Sequence, residues 1–426
     1  MAGTQMDEHV DAPTSFPLSQ IKVILLEQVH VRAGEMLRGA GYDVQVIDAA
    51  DPRALRGAMG EAHMIGIRSR TQLDADVLAG AERLWAIGCF CIGTDQVDLR
   101  AAAARGVAVF NAPFSNTRSV AEKTIAEVIA LHRKLFDRSA ALHRGEWAKS
   151  AEGAHEVRGR TLGIVGYGRI GSQVSVLAEA LGMRVVYFDT TNVLPLGNAQ
   201  RAESLEDVLA QADCVTLHVP DAPGTRLLIG EEQLGRMKRG ALLINNARGS
   251  VVDVEALARA IKSGHVGGAA VDVFPEEPTG KTKAFSTPLA GLANVILTPH
   301  VGGSTVEAQS NIAVEVAEKL IRFMNNGSTA SAVNVPQADL PALHREHRRV
   351  LHFHKNVPGV LGQVHSTIAQ HKMNIAASYL QSDAAHGYAI LDVDAGKDRV
   401  AGDAREKALL DALRAVPETI RVRSIW

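Results

Sequence analysis

Three short patterns hold residue types suited to handling a hydroxy acid: Ile244-Asn-Asn-Ala-Arg-Gly249, Val271-Asp-Val-Phe-Pro-Glu-Glu-Pro278 and Thr298-Pro-His-Val-Gly-Gly303. Arginine holds a carboxylate with a planar, permanently charged fork. Histidine, with an ordinary pKa of about 6.5, takes a hydroxyl proton and returns it in reverse. A carboxylate bonded to that imidazole orients it and raises its pKa. Arg248 and His300 supply the first two groups, and Glu276 or Glu277 the third. Singly, each has a plain alternative: an ion-pair partner, a solvated loop acid, a strand-end cap. Each pattern follows an apolar strand, which puts all three at the carboxyl edge of a parallel sheet, where α/β proteins bind ligands. Three fitting residues at three strand ends favour the catalytic reading.

A fourth pattern supplies an electron acceptor. Gly166-Tyr167-Gly168-Arg169-Ile170-Gly171 follows an apolar strand and opens an apolar helix. The first glycine permits a tight turn, the second lets a pyrophosphate approach the backbone, and the third lets helix pack on strand. Phosphates then lie against free N–H groups at the positive end of the helix. Asp189 ends the next strand, where a carboxylate accepts from ribose hydroxyls and repels a 2′-phosphate. Thr190, Thr191 and Asn192 offer no cation to such a phosphate. NAD is therefore expected over NADP. The hydride chemistry is the cofactor's, and the protein supplies position and charge.

The elements that must hold these groups alternate strand and helix, the pattern of parallel α/β units. Strands are expected at 21–26, 43–48, 64–67, 84–87 and 107–110, with a helix at 31–38 stopped by Gly41. A long helix over 120–142, opening after Asn116 and Ser119, carries the chain into a second series. Its strands are expected at 161–165, 184–188, 214–218, 241–244, 269–272 and 295–297. The stretch from Asn325 to Pro341, rich in Asn, Gly, Ser and Pro, reads as a linker. Strands at 349–354, 373–380, 388–393 and 420–423 then alternate with helices near 359–371 and 404–416, the βαββαβ order of a ferredoxin-like module. Arg68 and Arg70 flank Ser69 just after a strand, and alternation sends both to one face, where two guanidinium groups suit a phosphate. A solvated surface pair is the alternative.

The size of 426 residues suggests two or three domains. Hydrophobic residues make up 46% and charged residues 22%, as in ordinary globular proteins. Lys+Arg of 45 against Asp+Glu of 47 gives a net charge of -2, which asks for neither nucleic acid nor an anionic membrane. Cys89, Cys91 and Cys214 have no framework spacing, which fits a reducing compartment, and the first two read as small packed hydrophobes. Residues 1–20 lack a signal peptide's basic start and apolar core and read as a mobile lead-in to a cytoplasmic protein. No apolar run reaches a membrane span. His344, His347, His352 and His354 are accompanied by no cysteine or acidic set, so no metal is expected.

With these patterns the chain resembles the D-isomer-specific 2-hydroxyacid dehydrogenases. Arg68-Ser-Arg-Thr71, Gly88-Cys-Phe-Cys-Ile-Gly93 and Phe110-Asn-Ala-Pro-Phe-Ser-Asn-Thr-Arg-Ser119 add to the likeness, which covers nearly everything after residue 20. Within the family it is similar to the bacterial branch that oxidises 3-phospho-D-glycerate and carries one C-terminal ACT domain. The resemblance implies an α/β fold of two doubly wound Rossmann-like domains plus a ferredoxin-like ACT domain. It divides the chain into a substrate-binding domain (21–115 and 303–335), an NAD-binding domain (116–302) and a regulatory domain (348–426). The first is expected to face the cofactor across a cleft.

Carried over, Arg248 anchors the substrate, Glu277 rather than Glu276 partners the histidine, and His300 is the acid/base. The resemblance implies cofactor contacts at Gly166, Gly168, Arg169, Ile170, Gly171 and Asp189, at Asn246, Ala247 and Arg248, at Asp272 near the nicotinamide amide, and at His300, Val301, Gly302 and Gly303. Ala247 departs from the serine of many relatives. Arg68, Ser69 and Arg70, with Asn116 and Lys149, are implied for the substrate, Lys149 from across a subunit boundary. His354, Asn356 and Asn374 are implied to bind serine as an inhibitory effector; assembly alone is the plainer role for that module. A homotetramer and a side reduction of 2-oxoglutarate are further implications. A glyoxylate or pyruvate reductase would have no need of Arg68, Arg70 or the last module. An NAD sensor would not need the Arg248, Glu277 and His300 set, and formate oxidation on this fold replaces the glutamate.

Overall fold

The computed structural model describes residues 17–47, 52–278, 285–344, 346–394 and 404–425. Residues 1–16 of the expected lead-in, and Asp48, lie outside them. Residues Leu18–Gln20 are not mobile lead-in but a turn of 3₁₀ helix, with Leu18 packed on the core.

Five parallel strands form the first sheet: β1 (Lys22–Leu25), β2 (Asp43–Val46), β3 (Met64–Ile67), β4 (Ala86–Cys89) and β5 (Ala108–Asn111), in the order β2-β1-β3-β4-β5. Alternate residues serve opposite faces, as a strand requires. Val23 and Leu25 enter one apolar core, Ile24 and Leu26 the other. Burial on both faces explains why β3, β4 and β5 read as continuous apolar runs, whereas β2 at the edge is exposed and carries Asp43 and Gln45.

The second sheet has seven strands: β6 (Thr161–Val165), β7 (Arg184–Phe188), β8 (Gln200–Arg201), β9 (Cys214–Leu217), β10 (Ala241–Asn245), β11 (Val266–Val271) and β12 (Val295–Leu297). Their order is β12-β11-β10-β9-β6-β7-β8. It runs outward in both directions from β6, so the switch point of a Rossmann sheet lies between β6 and β9. β8 was not anticipated, because two polar residues give no strand signal.

A four-stranded antiparallel sheet ends the chain: β13 (His347–Lys355), β14 (Ile375–Ser382), β15 (His386–Asp394) and β16 (Thr419–Ile425), ordered β14-β15-β13-β16. With helices Val360–Gln370 and Ala404–Arg414 this is the expected βαββαβ order. One face packs on those helices through Val350, Leu391 and Val422. The other shares a core with the first sheet and the Val306–Asn326 helix, through Leu351, Phe353, Tyr388, Leu320 and Phe323. Arg421 stacks on Trp85 at 3.8 Å and donates to the Glu82 carbonyl at 2.8 Å.

Contacts divide the chain into two units, Met1–Pro113 with Ser310–Trp426, and Phe114–Gln309. The breaks differ from those expected at 115/116 and 302/303. The last sheet joins the first unit because it shares that unit's core. Two expectations are corrected. The long helix is two, Thr117–Arg133 and Leu135–His143, broken at Lys134 in the left-handed region with φ 51°. The supposed linker is packed. Ser328, Thr329, Ala332, Val335, Ala338 and Leu340 are buried. Its polar side chains satisfy backbone instead: Thr329 donates to the Pro336 carbonyl at 2.7 Å, and Asn334 accepts from the Val109 N–H at 2.8 Å.

Candidate active site

The glycine turn follows β6 at the switch point. Gly166 has φ 91°, and a side chain there would strike the His218 carbonyl at 2.6 Å. One on Gly171 would meet the Gly166 carbonyl at 2.2 Å, so helix and strand approach as closely as backbone allows. Gly168 caps the Arg169–Ala180 helix, and the space beside its Cα is open. The N–H groups of that first turn have no partner within the helix. This is a cradle for an anion. Arg169 stacks 3.7 Å above the Phe114 ring, and Ile170 is half-buried beside it in sequence.

Asp189 accepts from the Tyr167 N–H at 2.7 Å and from the Thr191 N–H and hydroxyl, both at 2.8 Å. Burial alone would raise its pKa; these bonds outweigh burial and hold the carboxyl below its ordinary value. The sequence reading missed Arg201 of β8, which donates to the Asp189 carbonyl at 3.3 Å and to Asn192. The open cradle and the charged Asp189 fit a dinucleotide with a free adenosine ribose.

The catalytic candidates meet at the ends of β10, β11 and β12. Asp272, just past β11, is 1% exposed. Its carboxylate accepts from the Val301 N–H at 3.0 Å, the Gly302 N–H at 2.8 Å and the Thr298 hydroxyl. Its carbonyl accepts from the His300 N–H at 2.8 Å. These bonds hold His300 at φ 53°, a conformation costing a non-glycine residue roughly 1–3 kcal/mol. His300 Nδ1 is 2.8 Å from Glu277 Oε2. The Phe274 N–H donates to the other Glu277 oxygen at 3.1 Å. The Glu277 hydrogen bond raises the His300 pKa above its ordinary value, although burial opposes it. Burial pushes the Glu277 carboxyl up, but the bonds from His300 and Phe274 outweigh it, and the net shift is downward. With Nδ1 donating to Glu277, Nε2 of the half-exposed ring is left to exchange a proton with a ligand.

Arg248 follows β10, close enough to His300 to oppose its protonation electrostatically. One of its Nη atoms donates to the Ala247 carbonyl at 2.7 Å. Ala247 is buried. Asn246 turns its amide inward, donating to Thr124 at 3.0 Å and Glu127 at 2.7 Å, so only its main chain is left for a cofactor. Asn116 is buried against Gly303, and its Oδ1 has no hydrogen-bond partner. Lys149 is exposed in the segment after the Leu135–His143 helix, near Trp147 at 81% exposure.

In the other unit, β3 ends at Ile67, so Arg68, Ser69 and Arg70 lie in a bend and strand alternation does not set their direction. Glu27, which the sequence reading missed, sets it. Buried, with φ 58°, it accepts from the Arg70 N–H at 3.0 Å and from the Thr71 N–H at 2.6 Å. Cys89 is a packed hydrophobe as expected, and Cys91 packs half-buried against the same core while its thiol bonds the Gly93 carbonyl at 3.2 Å. His354 is buried, its Nδ1 3.2 Å from that of His352, while Asn356 and Asn374 are exposed. Asn356 donates to the Asp383 carbonyl at 2.7 Å. Among the described residues no group of three His, Cys, Asp or Glu could hold a metal, and no helix is long and apolar enough to cross a membrane.

Comparison with known proteins identifies the family. Residues 125–302 match the D-isomer specific 2-hydroxyacid dehydrogenase, NAD binding domain. D-3-phosphoglycerate dehydrogenase of Escherichia coli K12 is 51% identical over 97% of this chain and 100% of its own. The enzyme of that name from Haemophilus influenzae is 50% identical over 97% and 99%. Among solved structures, D-lactate dehydrogenase of Aquifex aeolicus complexed with NAD and lactic acid aligns with TM-score 0.61 and 28% identity, covering 71% of this chain and 95% of that one. The chain belongs to the D-isomer-specific 2-hydroxyacid dehydrogenases, and the glycine turn, Asp189 and the His300–Glu277 pair all lie in the unit that carries the family's NAD-binding domain.

Proposed function

We propose that the chain oxidises 3-phospho-D-glycerate to 3-phosphohydroxypyruvate with NAD, the first committed step of serine biosynthesis. The observation that carries the chemistry is the His300–Glu277 pair at 2.8 Å beside Arg248. Arg248 holds the substrate carboxylate. His300 Nε2 removes the C2 hydroxyl proton while Glu277 steadies the imidazolium that results. Bound NAD would accept the hydride from C2. Returning the proton from His300 to the keto oxygen runs the reaction in reverse.

The choice of a phosphorylated acid is supported by relatives named D-3-phosphoglycerate dehydrogenase at half identity and full coverage. It is also supported by two guanidinium groups in one bend, Arg68 and Arg70, which with Ser69 suit a dianion. Asn116, and Lys149 acting from a second subunit, complete the proposed substrate set. Serine as inhibitor at His354, Asn356 and Asn374, a homotetramer, a cytoplasmic setting and a side reduction of 2-oxoglutarate belong to the same reading.

A substrate panel run with NADH and NADPH tests it. Phosphohydroxypyruvate should be reduced in preference to hydroxypyruvate, and Arg70→Ala should erase most of that preference. Equal rates for the two keto acids, or a preference untouched in Arg70→Ala, would remove the phosphate assignment.

A further inference from the structure

A buried polar cluster backs the His300 turn. Lys123 and Glu127, one turn apart on the Thr117–Arg133 helix, form an ion pair. Lys123 Nζ also donates to Asn246 Oδ1 at 3.1 Å and stands 3.5 Å from Asp272 Oδ1. The Asn246 amide returns to the same helix through Glu127 and Thr124. The side chains of Lys123, Glu127 and Asp272 are 17%, 7% and 1% exposed.

Keeping an ammonium from water is costly unless its donors are all used. Here the ammonium donates to Glu127 and the Asn246 amide carbonyl and pairs with the Asp272 carboxylate at 3.5 Å, groups drawn from a helix and two strand ends. Asp272 is where this cluster meets the chemistry. The bonds that impose the left-handed conformation on His300, and fix Val301 and Gly302 after it, end on Asp272. Its cationic partner among the described residues is Lys123.

We propose that Lys123 is a positioning residue for the hydride-transfer reaction. Its ammonium anchors the Asp272 carboxylate, which holds the Thr298 hydroxyl and the Val301 and Gly302 N–H groups on either side of left-handed His300. Asn246 and Glu127 keep the ammonium aimed. The position before Ala247 thus serves the reaction from behind the site, and its side chain is not a cofactor contact.

The proposal rests on the dehydrogenase reading. Its test therefore uses whichever 2-hydroxy acid the wild type turns over fastest, so a wrong substrate assignment shows in the wild type and not in the variants. Lys123→Met, Asp272→Asn and the double variant are compared for kcat, KM, NAD affinity and melting. Lys123→Met should lower kcat about 10- to 100-fold, as loss of alignment does, with NAD affinity within about 3-fold of wild type. In the Asp272→Asn background the same change should alter kcat by less than about 2-fold, because the partner is already gone. Should Lys123→Met fail to fold, Lys123→Met with Glu127→Gln removes the ammonium together with one carboxylate and is measured the same way. A lower melting temperature with kcat kept within about 3-fold, or kcat losses that multiply in the double variant, would overturn the assignment.

Discussion

Gly249 gives the sharpest mechanical test of the site. It joins Arg248 to the rest of its loop, and a methyl group there would lie 2.0 Å from the carbonyl carbon and oxygen of Phe274 and 2.5 Å from the Pro275 nitrogen. Real Cβ contacts do not fall below 3.0 Å, so Gly249→Ala must drive the two backbones apart by about 1 Å, well beyond what a packed interior absorbs freely. One side of that gap carries Arg248. The other carries Phe274, whose N–H fixes Glu277 and, through it, His300. A displacement of about 1 Å between reacting groups costs on the order of 100-fold in rate. The overpacking itself should cost about 1–3 kcal/mol of stability. Steady-state oxidation kinetics, thermal melting and NAD titration separate these effects. The expected result is kcat down about 100-fold with a folded protein whose NAD affinity stays within about 3-fold, since the glycine turn and Asp189 are not among the groups displaced. A folded Gly249→Ala protein keeping kcat within about 3-fold would refute the idea that this close approach sets the catalytic geometry.

Two further outcomes follow from the same description. The Glu277 bond lifts the His300 pKa, and oxidation needs the neutral imidazole, so kcat/KM for oxidation climbs as pH rises through that lifted value. Glu277→Gln should move the climbing limb to lower pH, and the falling limb of the reduction with it; pH profiles with an unmoved or upward-shifted limb would contradict the pairing. In the C-terminal module, calorimetry should detect serine binding to the wild type and its loss in Asn374→Ala. Absence of heat together with an unchanged rate at saturating serine would end the effector assignment.

Much of this was legible in the chain because local chemistry and tertiary role coincide. Apolar runs ending in Gly166, Arg248, Asp272 and His300 announce buried parallel strands with polar ends, and the sheet order places those ends together. The choice of Glu277 over Glu276 is met by its bond to His300. Two of the failures turned on a partner distant in sequence. The bend at Arg68–Arg70 is set by Glu27, some forty residues earlier. Lys123 looks like one more helix-surface lysine until Asn246 and Asp272 close on it. The segment 325–341 looks like a linker because its polar residues advertise solvent, yet Thr329 and Asn334 spend their side chains on buried backbone. The break at Lys134 has no glycine or proline to signal it.

The core common to the first and last sheets has a consequence for how this chain can be rearranged. Tyr388 donates to the Gly327 carbonyl at 2.6 Å, and Arg349 grips Asp392 and the carbonyls of Asn326 and Pro341. Arg423 adds a bond to the Phe323 carbonyl at 2.9 Å. Excising everything after Pro341 would strip Leu320 and Phe323 of their cover, and the exposed apolar helix face would promote aggregation. The C-terminal segment therefore behaves as a graft and not as a cassette. A swap between related chains should be tolerated best where the residues facing the sheet, Trp85, Leu320 and Phe323, match those of the donor chain. The two sheets should also unfold in one transition, with no calorimetric shoulder for the smaller.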